Sequence, residues 1–211
     1  MRSVAVLGAT GSIGTQALDI VGSHPELEAC ALAAHSDHAG LVDAARRHRV
    51  ARIALVNPAA AAAARREFDG DVLEGAEGVE QLVGECGADV VLNAIVGAAG
   101  LRATLATFAA GADLALANKE SLVAGGELVM DALRGSSGRM LPVDSEHSAL
   151  TQCLAGAASG AVTGLVVTAS GGPFRGRSRE SLADVTVADA LAHPTWRMGA
   201  KITVEIGRAH V

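Results

Sequence analysis

Residues 3–22 have the sequence SVAVLGATGSIGTQALDIVG, and this stretch decides the fold. A short aliphatic run ends at Gly8, and apolar residues at helical spacing begin near Ser12. Gly11 lies between these two segments, and Gly14 lies within the second. The order of strand, glycine turn and helix predicts the first unit of a parallel sheet. A dinucleotide pyrophosphate needs such a close backbone and gains from the free N–H groups of a helix start. The alternative is a plain tight turn.

Short β-branched runs alternate with longer alanine-rich segments along residues 1–142, which predicts an α/β fold with a doubly wound parallel sheet. From about residue 150, Gly and Ser become more frequent, so we place a domain boundary near Ser148. A further strand is predicted at 165–168. The predicted strands are 3–7, 29–33, 52–56, 89–94, 113–117 and, more weakly, 139–142; the predicted helices are 12–22, 41–48, 59–68, 79–85, 101–109 and 122–134.

The composition restricts the function further. With 17 basic and 23 acidic residues the net charge is −6, and half of the residues are hydrophobic, which excludes a disordered chain and argues against a nucleic-acid-binding surface. Aromatic residues make up only 2%, so the core must be built from small aliphatic side chains, as suits parallel strands covered by helices.

Neither membrane attachment nor a disulfide framework is predicted. The most apolar stretch, 88–101, is interrupted by Asn93 and is shorter than the ~20 residues that a membrane span needs. No signal peptide opens the chain, and we expect a cytoplasmic protein. Cys30, Cys86 and Cys153 form no CxxC pair, and their odd number fits a reducing compartment; we interpret them as small buried hydrophobic residues.

Three polar clusters follow predicted strands. His35-Ser36-Asp37-His38 gives conflicting signals, because an acid favours NAD while hydroxyl and imidazole donors favour a 2′-phosphate; the alternative is that His35 and His38 are solvated loop residues. Asn118-Lys119-Glu120 lies at the edge where parallel sheets bind ligands, or simply starts a helix. Asp144-Ser145-Glu146-His147 offers hard oxygen ligands for Mg²⁺ or Mn²⁺, or else Asp144 or Ser145 caps a helix.

Two later segments are also open to two interpretations. Ser170-Gly171-Gly172 either presents backbone N–H groups to a phosphate or turns the chain. Residues 193–199 hold the single tryptophan, Trp196, and suit either a mobile lid over a ligand or a core plug.

Taken in order, several motifs make the chain resemble the 1-deoxy-D-xylulose 5-phosphate reductoisomerase family. The match runs collinearly over residues 1–204. The matching motifs are GATGSIG (8–14), AIVGAAGL (94–101), LANKESLV (116–123), LPVDSEH (141–147), TASGGPFR (168–175) and HPTWRMGAKITV (193–204).

The resemblance implies an isoprenoid-pathway enzyme that isomerises and then reduces a phosphorylated sugar, using NADPH and Mg²⁺ or Mn²⁺. It implies an NADPH domain over 1–148, the first part of a catalytic domain over 149–204, and a homodimeric full-length protein without nucleic-acid or membrane partners. The implied cofactor-binding residues are Thr10, Gly11, Ser12, Ile13, Ser36, Asp37, Asn118, Glu120 and Gly199; the metal ligands are Asp144 and Glu146; the substrate-binding and catalytic residues are Lys119, Ser145, Glu146, Ser170, His193 and Trp196.

The resemblance ends at Val204. Residues 205–211, EIGRAHV, have no counterpart in the family pattern and are interpreted as a non-native tail. The family pattern continues with a phosphate-binding segment and a third metal-binding glutamate, so we expect the 211 residues alone to be inactive. The alternatives are a non-catalytic nucleotide-binding module or truncated paralogue and, less well supported, another dehydrogenase with a glycine loop, such as a semialdehyde dehydrogenase.

Overall fold

Seven parallel strands form one sheet within the residues that the computed structural model describes, which are 1–158, 160–167, 171–193 and 203. The chain divides into two units, Met1–Gly156 and Ala157–Val211. The boundary predicted at Ser148 falls inside a helix of the first unit and stays a prediction. The strands are β1 (Arg2–Leu7), β2 (Leu27–Ala34), β3 (Arg52–Leu55), β4 (Asp71–Glu74), β5 (Val90–Asn93), β6 (Asp113–Leu116) and β7 (Met140–Pro142).

The sheet order is β4-β3-β2-β1-β5-β6-β7, and every pairing is parallel. The chain therefore winds outward in one direction from β1 and then in the other from β5. Such a reversal opens a crevice at the carboxyl ends of the two central strands. The predicted doubly wound α/β fold is confirmed.

Helices connect the strands on both faces of the sheet. Asp37 and Asn57 cap two of them by accepting hydrogen bonds from the Gly40 and Ala60 amides, both at 3.0 Å, as short polar side chains do at helix starts. The helices are α1 (Ser12–Ser23), α2 (His38–His48), α3 (Pro58–Glu67), α4 (Gly75–Glu85), α5 (Gly100–Ala109), α6 (Glu120–Arg134), α7 (Ser145–Leu154) and α8 (Val187–Leu191).

The core is built from small side chains, as the composition predicts. Ala5, Ala31 and Ala54 in three adjacent strands are completely buried, together with Leu82 from α4. Because alanine side chains are small, the covering helices can approach the sheet closely, and the interior is close-packed without large side chains. No helix among the described residues is long and apolar enough to cross a membrane.

The structure corrects three expectations. Strand β4 was not predicted, because it lies at the sheet edge and only its two central residues are apolar. Residues 165–167, part of a predicted strand, form no regular structure. Cys153 is exposed and the other two cysteines are only half-buried, contrary to the interpretation of all three as buried.

The second unit contains little regular structure in its described part. A 3₁₀ turn (Glu180–Leu182) precedes α8, whose start is stabilised by a reciprocal capping pair of Thr186 and Asp189. His193 Nε2 donates a hydrogen bond to the Gly171 carbonyl at 2.9 Å. That contact joins the two ends of the described segment 171–193.

Candidate active site

Glycine is required at one position in the turn between β1 and α1 and at one position in the first turn of α1. Gly8 has a φ of +83°, and a Cβ there would lie 2.7 Å from the Ala94 carbonyl oxygen of the neighbouring loop. A Cβ on Gly14 would lie only 2.2 Å from the Gly8 carbonyl oxygen. The helix start therefore packs directly on the turn, as in sites where a backbone must approach a ligand closely.

The N-terminus of α1 carries no side-chain cap. Its first residue follows Gly11, no side chain accepts a hydrogen bond at the cap position, and the first turn contains no acidic residue. Ser12 and Ile13 in that turn are exposed. Unpaired N–H groups and the positive end of the helix dipole are thus available to an anion.

A pocket of about 400 Å³ lies beside this turn, at the carboxyl ends of β1, β2, β3 and β5. Thr10 and Gly11 form one side, and His35 and Val56 contribute from the neighbouring strand ends. The walls are mostly apolar, which suits a flat organic ring system more than a free phosphate. The remaining lining residues are Gly8, Ala33, Ala34, Ala76, Val79, Glu80, Ala94, Ile95, Val96, Ala99, Arg102 and Ala103.

Arg102 belongs to no motif of the sequence, but it lines this pocket. Its guanidinium contacts Glu77 at 3.0 Å and Glu80 at 2.6 Å, so an ion-pair cluster links α5 to α4 at the pocket wall. No sequence signal identified it, because Glu77 and Glu80 lie about 25 residues away in a separate helix.

The segment His35-Ser36-Asp37 is exposed at the end of β2. The Asp37 carboxylate caps α2 through the Gly40 amide. It also lines a smaller pocket of about 230 Å³ with Thr10, Asp43 and Arg47. Both acidic and basic groups therefore lie near the position where a ribose is expected.

Asn118 is a buried structural residue, with 2% of its surface exposed. Its amide nitrogen donates to the carbonyls of Ile95 and Gly97, and its amide oxygen accepts from the Ser121 amide at 2.7 Å and hydroxyl at 2.6 Å. These contacts use the full hydrogen-bonding capacity of the side chain. Asn118 thus holds the loops after β5 and β6 together, and its backbone is the part left for a ligand.

Lys119 and Asp144 meet at the edge beyond β6 and β7. The Lys119 Nζ lies 3.3 Å from Asp144 Oδ2, and His147 Nδ1 lies 2.7 Å from Asp144 Oδ1. Although burial raises the pKa of Asp144, the hydrogen bond of His147 and the charge of Lys119 hold it below its ordinary value. The carboxylate is thus kept ionised, as a cation-binding group must be.

The capping alternative for the Asp144 cluster is what the structure shows locally. Asp144 caps α7, Ser145 begins the helix, and the Ser145 hydroxyl donates to Glu146 Oε2 at 2.8 Å. Across the described ranges, no group of three or more His, Cys, Asp or Glu side chains is placed to hold a metal ion. A cation here would have Asp144 and Glu146 as its two carboxylates from this part of the chain.

The predicted site residues lie in different parts of the chain. The structure brings Thr10 and Gly11 to one pocket and pairs Lys119 with Asp144. His193 lies in the second unit. Ser170, Trp196 and Gly199 are outside the described residues.

Two family models match the chain. The model described as 1-deoxy-D-xylulose 5-phosphate reductoisomerase matches residues 4–126, and the model of that enzyme's C-terminal domain matches residues 140–208. Curated relatives include the 1-deoxy-D-xylulose 5-phosphate reductoisomerase of Gloeobacter violaceus, 50% identical over 97% of this chain and 54% of that protein. That of Mycobacterium marinum is 52% identical over 95% of this chain and 49% of that protein.

Solved structures of the same enzyme are also similar. One is DOX-P reductoisomerase in complex with NADPH, fosmidomycin and magnesium, at 36% identity and a TM-score of 0.88 over 99% of this chain and 55% of that one. Another is the Zymomonas mobilis enzyme in complex with NADPH, at 38% identity and a TM-score of 0.87 over 99% and 54%. The chain spans about half the length of the curated relatives it matches. The resemblance read from the motifs is confirmed, and the chain belongs to the 1-deoxy-D-xylulose 5-phosphate reductoisomerase family.

Proposed function

We propose that this chain supplies the cofactor-binding domain and two metal ligands of an enzyme that isomerises and reduces 1-deoxy-D-xylulose 5-phosphate to 2-C-methyl-D-erythritol 4-phosphate. The proposal rests on two features that follow the carboxyl ends of strands in the same parallel sheet. One is the uncapped start of α1 after the glycine turn, and the other is the Asp144 carboxylate paired with Lys119. The first suits a dinucleotide, and the second suits a cation and an anionic substrate.

The residues around the glycine turn fit NADPH. Thr10, Gly11, Ser12 and Ile13 would hold the pyrophosphate, because the α1 start offers N–H groups without a competing acid. The apolar pocket beside them has room for the adenosine end. Bound NADPH supplies the hydride for the reduction. Ser36 and Asp37 would lie at its ribose, and the remaining contacts are assigned to Asn118, Glu120 and Gly199.

The carboxylates of Asp144 and Glu146 fit Mg²⁺ or Mn²⁺, since these ions prefer hard oxygen ligands. A bound cation supplies Lewis-acid polarisation of substrate oxygens. Lys119 and His147 now contact the Asp144 carboxylate and would have to release it. Lys119, once released, has the charge and reach to hold an anionic group of the substrate or to donate a proton to it.

The other substrate contacts are assigned by the family motifs. Ser145 begins α7 with its hydroxyl exposed beside Glu146, in a position to bind a substrate oxygen. Ser170 and His193 would bind the substrate, and Trp196 would close over it. The homodimeric state, the cytoplasmic location, the domain limits at 148 and 204 and the non-native tail at 205–211 also stay predictions.

We expect the 211-residue chain to bind NADPH without turning over substrate, because it contributes two carboxylates where the family pattern has three. Fluorescence titration with NADPH tests the binding, and NADPH absorbance with 1-deoxy-D-xylulose 5-phosphate and Mn²⁺ tests the turnover. Steady oxidation of NADPH would show that the chain is active by itself. No saturable NADPH binding by the folded chain would overturn the cofactor assignment.

A non-catalytic nucleotide-binding module is the second candidate. It is favoured by the finding that, in the described part of the chain, no three potential ligands are grouped for a metal. Under this alternative, NADPH binds but Mn²⁺ does not, and an Asp144→Asn variant behaves like the unaltered chain in a Mn²⁺ titration. Under the reductoisomerase proposal, the same variant loses the Mn²⁺ binding that the unaltered chain shows.

A further inference from the structure

The pocket beside the glycine turn has one charged wall, which consists of Glu80 from α4 and Arg102 from α5. The rest of its lining is mostly apolar. Glu77, which lies one helical turn before Glu80, pairs with Arg102 but does not line the pocket. A ligand that fills this pocket therefore meets both an apolar surface and two charged side chains, and these side chains can select among flat ligands.

Two carboxylates hold the guanidinium of Arg102. Glu77 Oε1 lies 3.0 Å from Nη1, and Glu80 Oε1 lies 2.6 Å from Nε. A guanidinium held through its N–H groups keeps its two faces available, and such faces stack on aromatic rings and nucleobases. One guanidinium and two carboxylates leave the cluster with a net negative charge, which disfavours a phosphate at this wall. The charged wall therefore suits an uncharged ring.

The carboxylate of Glu80 has one oxygen left for a ligand. Oε1, the oxygen next to Arg102, is buried. The Glu80 side chain as a whole is 32% exposed and lines the pocket, so Oε2 is the oxygen that a ligand can reach. An ionised carboxylate only accepts hydrogen bonds. It therefore favours a ring that presents an N–H donor and disfavours one that presents a carbonyl oxygen at the same place.

The position of the pocket determines which end of a dinucleotide would enter it. The pocket lies at the carboxyl ends of β1, β2, β3 and β5, whereas Lys119 and Asp144 follow β6 and β7. A dinucleotide places its pyrophosphate at the glycine turn, between these two regions of the sheet. The nicotinamide has to reach a substrate beside Asp144. The adenine end is then the part left for the pocket.

We propose that Glu80 and Arg102 recognise the adenine ring of the cofactor. Glu80 Oε2 accepts a hydrogen bond from the exocyclic amino group, and Arg102 packs on one face of the ring. This inference rests on the proposed function, which assigns NADPH to the chain, and deepens it by naming the residues that select the base. Glu80 discriminates between bases, Arg102 adds affinity, and Glu77 is a positioning residue for Arg102.

The test compares NADPH with its hypoxanthine analogue, reduced nicotinamide hypoxanthine dinucleotide phosphate. The analogue carries a carbonyl oxygen where adenine has its amino group and is otherwise the same, including the fluorescent dihydronicotinamide. Fluorescence titration of the full chain therefore measures both affinities in the same way. We expect NADPH to bind at least about tenfold more tightly, since the analogue loses a hydrogen bond to a charged group. This comparison needs no variant.

Two substitutions separate the two roles. Glu80→Gln keeps the shape of the side chain and can donate to a carbonyl oxygen, so the preference for NADPH should fall to about twofold or less. Arg102→Leu should weaken the binding of both cofactors by about fivefold, as expected for the loss of a stacked cation. Circular dichroism shows whether each variant is folded.

Glu85→Gln is the matched control. Glu85 lies in the same helix as Glu80 and also pairs with an arginine, Arg52, but it does not line the pocket. The same substitution at this position therefore removes a carboxylate from an ion pair outside the pocket. It should leave the preference for NADPH over the hypoxanthine analogue as in the unaltered chain.

Equal binding of the two cofactors by the unaltered chain would overturn the role of Glu80, and so would an equal loss of preference in Glu85→Gln. Unaltered affinity of Arg102→Leu would overturn the stacking role. In each of these cases NADPH still binds, so the proposed function stands. If the unaltered folded chain bound neither cofactor, the proposed function itself would fail, and this inference with it.

Discussion

Lys119 and Asp144 are 3.3 Å apart at the ends of two adjacent strands, with the lysine nitrogen on the carboxylate oxygen. The register of the sheet causes this contact, because Leu116 at the end of β6 pairs with Pro142 at the end of β7. The segments that follow the two strands therefore start level with each other. The ammonium group of Lys119 therefore occupies the side of Asp144 where the proposed metal would bind, and the two should compete for the carboxylate.

Replacing Lys119 by methionine should strengthen the binding of Mn²⁺. The substitution removes a positive charge that competes for Asp144, and an interaction of about 1 kcal/mol at a solvent-exposed distance of ~4 Å corresponds to roughly fivefold in affinity. Electron paramagnetic resonance of free Mn²⁺ measures the change directly. Arg134→Met is the control, because Arg134 pairs with Asp131 elsewhere on the surface. Equal or weaker binding by Lys119→Met would place the cation away from Asp144.

Gly14→Ala should disturb the turn before α1. The new Cβ would lie 2.2 Å from the Gly8 carbonyl oxygen and 2.7 Å from the Ala9 Cα, both of them backbone atoms that cannot move aside easily. We expect a loss of about 2 kcal/mol in the free energy of unfolding, as for overpacked sites, and weaker NADPH binding. Urea denaturation and fluorescence titration measure the two effects.

Gly84→Ala is the matched control for that substitution. Gly84 lies within α4, and an added Cβ has nothing within 4 Å. Alanine is the better helix former by about 0.5–1 kcal/mol, so this variant should be slightly more stable. If both variants were equally stable, the close approach at Gly14 would not constrain the turn.

Asn118→Asp should be strongly destabilising although the two side chains have the same shape. A carboxylate cannot donate to the Ile95 and Gly97 carbonyls, and it would bring a buried charge against them. We expect a loss of about 3 kcal/mol in the free energy of unfolding. Asn57→Asp is the control, because Asn57 only accepts a bond from Ala60 and should change stability by less than about 0.5 kcal/mol. Similar losses in both would show that the donors of Asn118 are unimportant.

Asp113 should make stability depend on acid pH. Its carboxylate accepts hydrogen bonds from Arg139 Nη2 at 2.7 Å and from Arg2 Nη2 at 2.9 Å. These contacts, that of Arg139 foremost, hold the pKa of Asp113 well below its ordinary value. Since the folded state favours the ionised form, the stabilisation is present above the unfolded value of about 3.9 and is lost as the pH falls further.

The test compares Asp113→Asn with the unaltered chain over a pH series of urea denaturations. The variant should be less stable by about 2 kcal/mol at neutral pH, and the difference should shrink below about pH 4 as the unaltered carboxylate becomes protonated. Asp131→Asn, which breaks an exposed ion pair with Arg134, should cost less than about 1 kcal/mol. A difference that stays constant down to pH 2 would contradict the ionic origin of the effect.

The regular part of the fold could be predicted from the sequence because its signals are local. The β1 run, the glycine turn and the apolar spacing of α1 each lie within a few residues. Strand β4 was missed because its short edge segment, Asp71–Glu74, has charged ends and only two apolar residues. An edge strand forms by hydrogen bonding to its neighbour, here β3, and the residues of the segment alone do not indicate that pairing.

The site could be predicted only where a motif marked it. Lys119 and Asp144 each stand in a recognisable polar cluster, but their contact depends on which strands are neighbours in the sheet. Arg102 carries no local signal, because its ion-pair partners come from another helix. Asp144 also has a second role, as the cap of α7, which the spacing alone left open.

The strand order also has a consequence for how the chain folds. Strand β1 is the first strand of the chain, but one of its two neighbours in the sheet is β5. Val4 therefore pairs with Val90, which lies far away in the sequence. Pairings between distant parts of a chain form slowly, because the loop between them must first be closed. The glycine turn and the Ala94 carbonyl come together only when β1 and β5 have paired. We therefore expect refolding intermediates with β1–β4 assembled to lack the pocket, and nucleotide binding to appear late in refolding.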